Sequence, residues 1–185
     1  MAGWTAVSDM TMVVRQMPDQ TYYCCLIRLD GDDKFVIWFE AERDGFVCDS
    51  DGRLIWASSP AELATTARNR GISLVAENAT LYDFDQISDW IQCRAPERVD
   101  CDAFLNAWNF FDDLARIHER PDRNYAKLSW AAANVYDLLF WGCNLPSVTP
   151  PGERFEPTWP RESLDEIAAV MVAGIELVRH KLRAA

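Results

Sequence analysis

The hydrophobic pattern of the chain changes near Glu77, and this change limits the folds that are open to it. Before this point, short runs of aromatic and β-branched residues alternate with turn residues. After it, apolar residues recur at the three- and four-residue spacing of helices. The sequence therefore predicts an α+β fold. We expect an N-terminal antiparallel β-meander with one helix, followed by a C-terminal bundle of about four helices.

Turn signals separate the predicted strands. The segment 31–34 is expected to join the first two strands as a hairpin connection. Ser59, Pro60 and Glu62 predict the start of a helix with a capping box, and Gly71 predicts its end. The predicted strands are 22–30, 35–42, 46–48, 54–56 and 72–75.

Four helices are predicted in the C-terminal part of the chain. Gly174 lies on or near the apolar face of the last one and would permit a close helix crossing. At 185 residues the chain fits a single domain, 1–185. The pattern change marks a sub-boundary near 77, between a β-rich lobe (1–76) and a helical lobe (77–185). The predicted helices are 83–93, 100–117, 124–141 and a last one that Ser163 begins.

Composition limits the function classes. The formal charge of −11 disfavours nucleic acid and anionic membrane faces as partners and favours basic proteins. There is no basic, apolar leader at the N-terminus and no apolar run of about 20 residues, so a cytoplasmic protein is expected. Six scattered cysteines without a Cys-x-x-Cys pair, two histidines and eight glycines predict no metal site and no cofactor. No residue is assigned a catalytic role.

The negative charge is concentrated in two segments. Residues 30–51 hold eight acids and two bases, and residues 83–122 hold ten acids and four bases. These segments form one acidic face only if the fold brings them together. The carboxylates selected as candidates for binding a basic partner all lie in the second segment. They are Asp83, Asp85, Asp89, Asp112 and Asp113.

A row of four side chains is the most informative feature of the predicted helix 124–141. Trp130, Asn134, Asp137 and Trp141 recur at four, three and four residues, so they share one face. Two tryptophans beside an amide and a carboxylate are typical of protein recognition surfaces. In the alternative interpretation, this helix is buried on both sides and the Pro-rich connection after it covers the row. The expected core residues of this helix are Leu128, Ala132, Val135 and Leu139.

Two segments of the chain resemble segments of a known class of proteins. They are 106–113 (Asn-Ala-Trp-Asn-Phe-Phe-Asp-Asp) and 136–146 (Tyr-Asp-Leu-Leu-Phe-Trp-Gly-Cys-Asn-Leu-Pro). Together with its small size and acidic character, they make the chain look like the immunity proteins of bacterial toxin systems. The resemblance implies a cytosolic protein that binds and blocks a toxin domain, commonly a nuclease. It transfers no functional residue to this chain.

Two other classes of function stay open at this point. The first is an enzyme with a dispersed site of carboxylates and one histidine, for which His118 or the group Asp83, Asp85 and Asp89 would have to line a pocket. The second is a homo-oligomeric structural protein in which the tryptophan row pairs with a copy of itself. The favoured hypothesis is a protein-binding module that neutralises a basic toxin domain.

Overall fold

The computed structural model describes residues 20–117 and 122–183, and it confirms the α+β prediction. No helix in these two ranges is both long enough and apolar enough to cross a membrane. The strands are β1 (Thr21–Leu29), β2 (Asp32–Glu40), β3 (Gly45–Phe46), β4 (Trp56–Ala57) and β5 (Thr80–Asp83). The helices are α1 (Pro60–Asn69), α2 (Phe84–Cys93), α3 (Cys101–Ala115), α4 (Arg123–Ala131), α5 (Ala133–Gly142) and α6 (Arg161–Leu182), with a 3-10 turn at Pro96–Arg98.

The turn between β1 and β2 consists of Asp30 and Gly31. Both residues have positive φ angles, 57° and 78°, as two-residue hairpin turns often require. Leu29 pairs with Asp32 directly across the turn. The predicted hairpin is therefore confirmed, but its turn lies at residues 30–31 and not at 31–34, because residues from Asp32 onwards belong to β2. Aspartate tolerates left-handed backbone, and Asp-Gly is a preferred sequence for such turns.

The sheet has the order β3-β2-β1-β5, and β4 also pairs with β2. The first four strands pair with one another in antiparallel orientation, as predicted, but β5 pairs with β1 in parallel orientation. The predicted strand at 72–75 is reduced to a single bridge between Leu74 and Tyr22. The strand at this edge of the sheet is instead β5. It follows α1 and a loop in the chain and lies beside β1, on the side opposite β2.

Successive side chains along each strand point alternately to the two faces of the sheet. Cys24 and Cys25 point to opposite faces, as expected for neighbours in a strand. One face, with Tyr22 and Ile37, packs against Leu63 of α1. The other face packs against the C-terminal helices. The main core therefore contains side chains from both sides of residue 77.

The ends of the first two helices follow their local sequence. Ser59 caps α1 by accepting a hydrogen bond from the backbone N–H of Glu62 at 3.2 Å. In the predicted capping box, the Glu62 carboxylate would accept from the N–H of Ser59. In the structure it accepts from the N–H of Ser58, one residue earlier. Asp83 caps α2 in the same way, through the N–H of Gln86. These caps satisfy N–H groups that have no partner within the helix.

The predicted helix 124–141 is interrupted at Ala132, which gives the two helices α4 and α5. Ala132, Val135 and Leu139 are buried as expected, but Leu128 is 38% exposed, so its assignment to the core is wrong. Ser129 faces α3 in its place. It accepts a hydrogen bond from the Trp108 indole and donates one to a carboxylate of α3.

Candidate partner-binding surface and acidic cleft

The four residues of the tryptophan row, here called the tryptophan stripe (Trp130, Asn134, Asp137 and Trp141), are all exposed. The side chain of Trp130 is 84% exposed and that of Trp141 is 46% exposed. The interruption at Ala132 places Trp130 at the end of α4 and the other three residues on α5. Exposed tryptophan side chains are candidates for an interaction surface.

The Pro-rich connection after α5 does not cover the tryptophan stripe. Asn144 holds this connection in place, since its side chain donates to the carbonyl of Phe155 at 2.9 Å and accepts from the N–H of Phe155 at 2.6 Å. Trp159 packs against the main core, whereas Phe155 remains 41% exposed. The alternative interpretation, in which the connection buries the stripe, therefore does not describe this structure.

A cleft of about 490 Å³ lies where α3 meets the sheet and α5, and we call it the acidic cleft. Its apolar walls are aromatic and come from β2, β3, β5 and α3. Its polar lining contains three carboxylates and one guanidinium. The lining residues are Trp38, Asp44, Phe46, Tyr82, Asn106, Asn109, Phe110, Asp112, Asp113, Arg116 and Tyr136.

The polar face of α3 supplies most of the polar lining. Asn106, Asn109, Asp113 and Arg116 recur at three and four residues, so they share a face of the helix. The sequence shows this polar face directly. It does not show that strands distant along the chain form the opposite wall, and for that reason sequence reasoning missed the cleft.

Asp113 is held by two donors in the cleft. Its Oδ2 accepts a hydrogen bond from the indole Nε1 of Trp38 at 3.0 Å, and its Oδ1 accepts from Arg116 Nη2 at 2.6 Å. Burial raises the pKa of the Asp113 carboxyl, and the bonds from Trp38 and Arg116 oppose this shift only in part. The fold therefore disfavours the charged form of this residue.

Asp112 is oriented by a chain of hydrogen bonds from the core. The indole of buried Trp108 donates to Ser129 Oγ at 2.9 Å, and Ser129 Oγ donates to Asp112 Oδ1 at 3.0 Å. On the same side, the Tyr136 hydroxyl donates to Asn109 Oδ1 at 2.9 Å. Ser129 precedes Trp130 and Tyr136 precedes Asp137, so the elements that bound the cleft also carry the tryptophan stripe.

The other three candidate carboxylates lie on α2 and at its cap, and they are not part of the cleft lining that the structure describes. Asp83 caps α2 and lies 3.4 Å from a guanidinium nitrogen of Arg28. Asp85 accepts from the backbone N–H groups of Asp30 and Gly31, and so supports the hairpin turn. Asp89 is exposed. Two of these three carboxylates therefore have contacts that stabilise the fold.

The fold brings the two acid-rich segments together. Asp44 from the first segment and Asp112 and Asp113 from the second line the same cleft. A second contact joins the segments at the turn, where Asp85 accepts from Gly31. Because Arg116 is the only base in the described lining, this lining carries more negative than positive charge.

The remaining candidate groups give no metal or histidine site in the described part of the chain. His118 lies outside the described residues. Within residues 20–117 and 122–183, no group of three or more His, Cys, Asp or Glu side chains is arranged to hold a metal ion. The six cysteines are free, and Cys25 is buried, with its pKa raised by burial to about 12.

The fold and the site define an α+β protein with an exposed tryptophan stripe beside an acidic cleft. No protein-family model matches the chain, and no curated protein matches it. Among solved structures, it is similar to the C-terminal domain of SatS, which was crystallised in complex with bromine. The TM-score is 0.50 at 16% sequence identity, over 88% of this chain and 92% of that chain. At this identity the likeness concerns the fold alone.

Proposed function

We propose that this chain is a protein-binding module of the immunity or antitoxin kind, which captures a basic toxin domain and neutralises it. The observation that carries the proposal is the exposure of the tryptophan stripe, with the Trp130 side chain 84% accessible to solvent. Tryptophan is the residue type most enriched among those that dominate binding energy in protein interfaces. Asn134 and Asp137, between the two indoles, supply polar contacts for the same partner.

The acidic surface supports a basic partner. Carboxylates from two segments of the chain meet at the acidic cleft, and Asp89 adds an exposed charge on α2. With a formal net charge of −11, the molecule attracts cationic surfaces and accelerates their encounter with it. The indoles of the stripe then slow dissociation, which is where most differences in affinity between related complexes arise.

A nuclease toxin is the partner class that this arrangement fits best. The active site of a nuclease is built to hold phosphates, so carboxylates at fixed positions can occupy it as phosphate mimics. Asp112 is held in such a fixed position by Ser129. The resemblance of segments 106–113 and 136–146 to immunity proteins supports the same class.

Affinity capture with matched tryptophan variants tests the proposal. The tagged chain, the double variant Trp130→Ala/Trp141→Ala and the control Trp56→Ala are each exposed to a native lysate of the source cells. Trp56 is 40% exposed but lies on β4, outside the stripe. We expect one basic protein to be recovered with the parent chain and the control. The double variant should lose at least tenfold in recovery, since a central tryptophan contributes about 2 kcal/mol or more.

The captured protein then has to be inhibited by the chain. Its activity, measured as nucleic acid cleavage, should fall to background at a one-to-one ratio with the parent chain and persist with the double variant. The same proteins recovered by the parent chain and by the double variant would overturn the proposal. Unfolding curves of the variants show whether a loss of recovery reflects binding, because both indoles are exposed and their removal should leave the fold intact.

One observation favours a second candidate, an enzyme with a dispersed carboxylate site. The acidic cleft is concave, and within it burial raises the pKa of Asp113. Turnover of a small neutral substrate that Asp113→Asn abolishes without unfolding the chain would favour this candidate over the binding module.

Light scattering after size-exclusion chromatography tests the third class of function. For the binding module we expect the monomer mass of 21.1 kDa. A dimer that Trp130→Ala/Trp141→Ala converts to a monomer would assign the tryptophan stripe to self-association.

A further inference from the structure

We propose that the acidic cleft receives the guanidinium group of an arginine side chain carried by the protein partner. This inference rests on the proposed function and specifies the chemistry of the contact. The cleft is large enough for such a group, at about 490 Å³, and it lies next to the helices that carry the tryptophan stripe. Tyr136 of α5 lines the cleft and Ser129 of α4 orients Asp112, so a partner bound to these helices can project an arginine into it.

The lining of the cleft matches the donor and stacking properties of guanidinium. This group is planar, carries five N–H donors, and stacks on aromatic faces more readily than an ammonium does. Asp112, Asp44 and the side-chain carbonyl of Asn106 supply acceptors, and Trp38 and Tyr82 supply aromatic walls. A charge-assisted hydrogen bond between guanidinium and a carboxylate is stronger than one between neutral groups.

The chain already contains one example of the proposed contact. Arg116 donates to Asp113 at 2.6 Å, so a carboxylate of this cleft holds a guanidinium in the structure. The Arg116 side chain is 56% exposed and reaches Asp113 from the rim, whereas the Asp113 side chain is only 13% exposed. With Arg116 paired to Asp113, Asp44 and Asp112 still leave the lining negatively charged.

The fixed geometry of Asp112 makes it the principal acceptor. Its Oδ1 is bonded to Ser129, which is itself bonded to the indole of Trp108. A carboxylate that is oriented before binding loses little freedom when it accepts a guanidinium. Asp44 lies at the exposed edge of the cleft and accepts from the N–H of Ala41 at 3.1 Å, so it is available to add charge at the entrance.

The indole N–H of Trp38 provides a reporter inside the cleft, because it donates to Asp113. The experiment follows its nitrogen–proton NMR signal, assigned with Trp38→Phe, while capped Gly-Arg-Gly, Gly-Lys-Gly and Gly-citrulline-Gly peptides are added. Citrulline has nearly the shape of arginine without its charge. We expect a saturable shift with the arginine peptide, a weaker response to the lysine peptide, and none to the citrulline peptide.

Variants localise the response. Asp112→Asn and Asp44→Asn should each weaken binding of the arginine peptide about tenfold, as expected when one carboxylate partner of a charged hydrogen bond is lost. Asp51→Asn, in the exposed turn before β4, removes the same charge elsewhere and should change nothing. Asp44 is exposed, so Asp44→Asn keeps the test decisive even if Asp112→Asn unfolds the chain.

Equal responses to the arginine and citrulline peptides, or to the arginine and lysine peptides, would overturn the inference. So would unchanged affinity in both cleft variants. These results are distinguishable from failure of the proposed function. If capture still depends on Trp130 and Trp141 while the cleft ignores arginine, the binding module stands and only the guanidinium contact is lost.

Discussion

At the scale of single residues, the polar lining of the acidic cleft conflicts with the stability of the fold. Asp113 is largely buried beside Trp38, and two donors do not fully compensate for the water that its carboxylate loses. A carboxylate that burial disfavours is retained more readily at a binding or catalytic site than at a purely structural position. Removal of this carboxylate should therefore weaken recognition and raise the free energy of unfolding.

The first prediction concerns the pH dependence of Asp113→Asn. Because the pKa of Asp113 is raised in the folded chain, its protonated form favours folding, and this contribution is lost as the pH rises through the raised pKa. Asparagine stays neutral at every pH. We therefore expect the variant to be at least as stable as the parent chain at pH 7, with the difference narrowing as the pH falls from the raised pKa to 3.8, the ordinary value for aspartate.

Urea unfolding across this pH range measures the effect, with Asp51→Asn as the control for loss of an exposed charge. A variant that is clearly less stable than the parent chain at pH 7, with a deficit that persists in acid, would contradict the prediction. In that case, the bonds to Trp38 and Arg116 would outweigh the burial of the charge.

At the scale of elements, the packing of α3 against α6 depends on one glycine. Gly174 lies under the ring of Phe111, and a Cβ added at this glycine would overlap that ring. This contact confirms the predicted close crossing. Phe111 is fully buried and also packs against Phe84 of α2, so the ring has little room to move.

We therefore predict that Gly174→Ala destabilises the protein although alanine is the better helix former. Overpacking at this contact should cost about 2 kcal/mol. The matched control is Ala169→Gly on the exposed side of α6, where the loss should be about 1 kcal/mol from helix propensity alone. Thermal and urea unfolding measure both, and a Gly174→Ala variant that is more stable than the parent chain would show that α3 and α6 can separate freely.

At the scale of the whole molecule, the two ends of the described chain are held together by polar contacts. Arg179 near the end of α6 binds Asp30 in the hairpin turn through two hydrogen bonds, of 3.0 and 2.6 Å. Two residues later, buried Lys181 donates to the carbonyl of Gly52 at 2.9 Å. The last helix thereby fixes the hairpin and the loop before β4 against the core.

Removal of the Arg179 contact should weaken the protein in a pH-dependent manner. The hydrogen bond from Arg179 lowers the pKa of Asp30 below 3.8, so its contribution is present above that pH and is lost as the pH falls through the lowered pKa. We expect Arg179→Gln to lose at most about 1 kcal/mol at neutral pH, since the pair is partly exposed. The deficit should close in acid.

Urea unfolding at neutral and acidic pH checks this expectation. Arg154→Gln is the matched control, because Arg154 is 77% exposed and lies 3.8 Å from Glu156. A deficit for Arg179→Gln that is the same at both pH values would show that the arginine acts through packing and not through its charge.

Local signals explain what the sequence predicted well. The cap at Ser59 lies within a few residues of the helix it begins, and Gly174 lies within an uninterrupted apolar face. The predicted start of the last helix at Ser163 is wrong, because α6 begins at Arg161 without a side-chain cap. Non-local contacts explain what was missed. β5 is a four-residue strand that is stabilised by parallel pairing with β1, more than fifty residues earlier in the chain. A short run of this kind has no pattern of its own.

The same distinction applies to the tryptophan stripe and the acidic cleft. The spacing of Trp130, Asn134, Asp137 and Trp141 identified four exposed residues, because polar neighbours around an indole are visible within one helix. The cleft was not visible, since Trp38 and Tyr82 come from strands and only folding places them opposite α3. The sequence around Ala132 contains no glycine or proline that would have predicted the interruption of the helix.

That interruption sets the relative placement of the two indoles in the tryptophan stripe. In an unbroken helix, eleven residues would fix the separation and relative angle of the two indoles through helical rise alone. Here Ala132, which bears neither indole, is the joint between their two supports. A substitution at this one buried position would therefore move the two indoles relative to each other while leaving both side chains in the molecule.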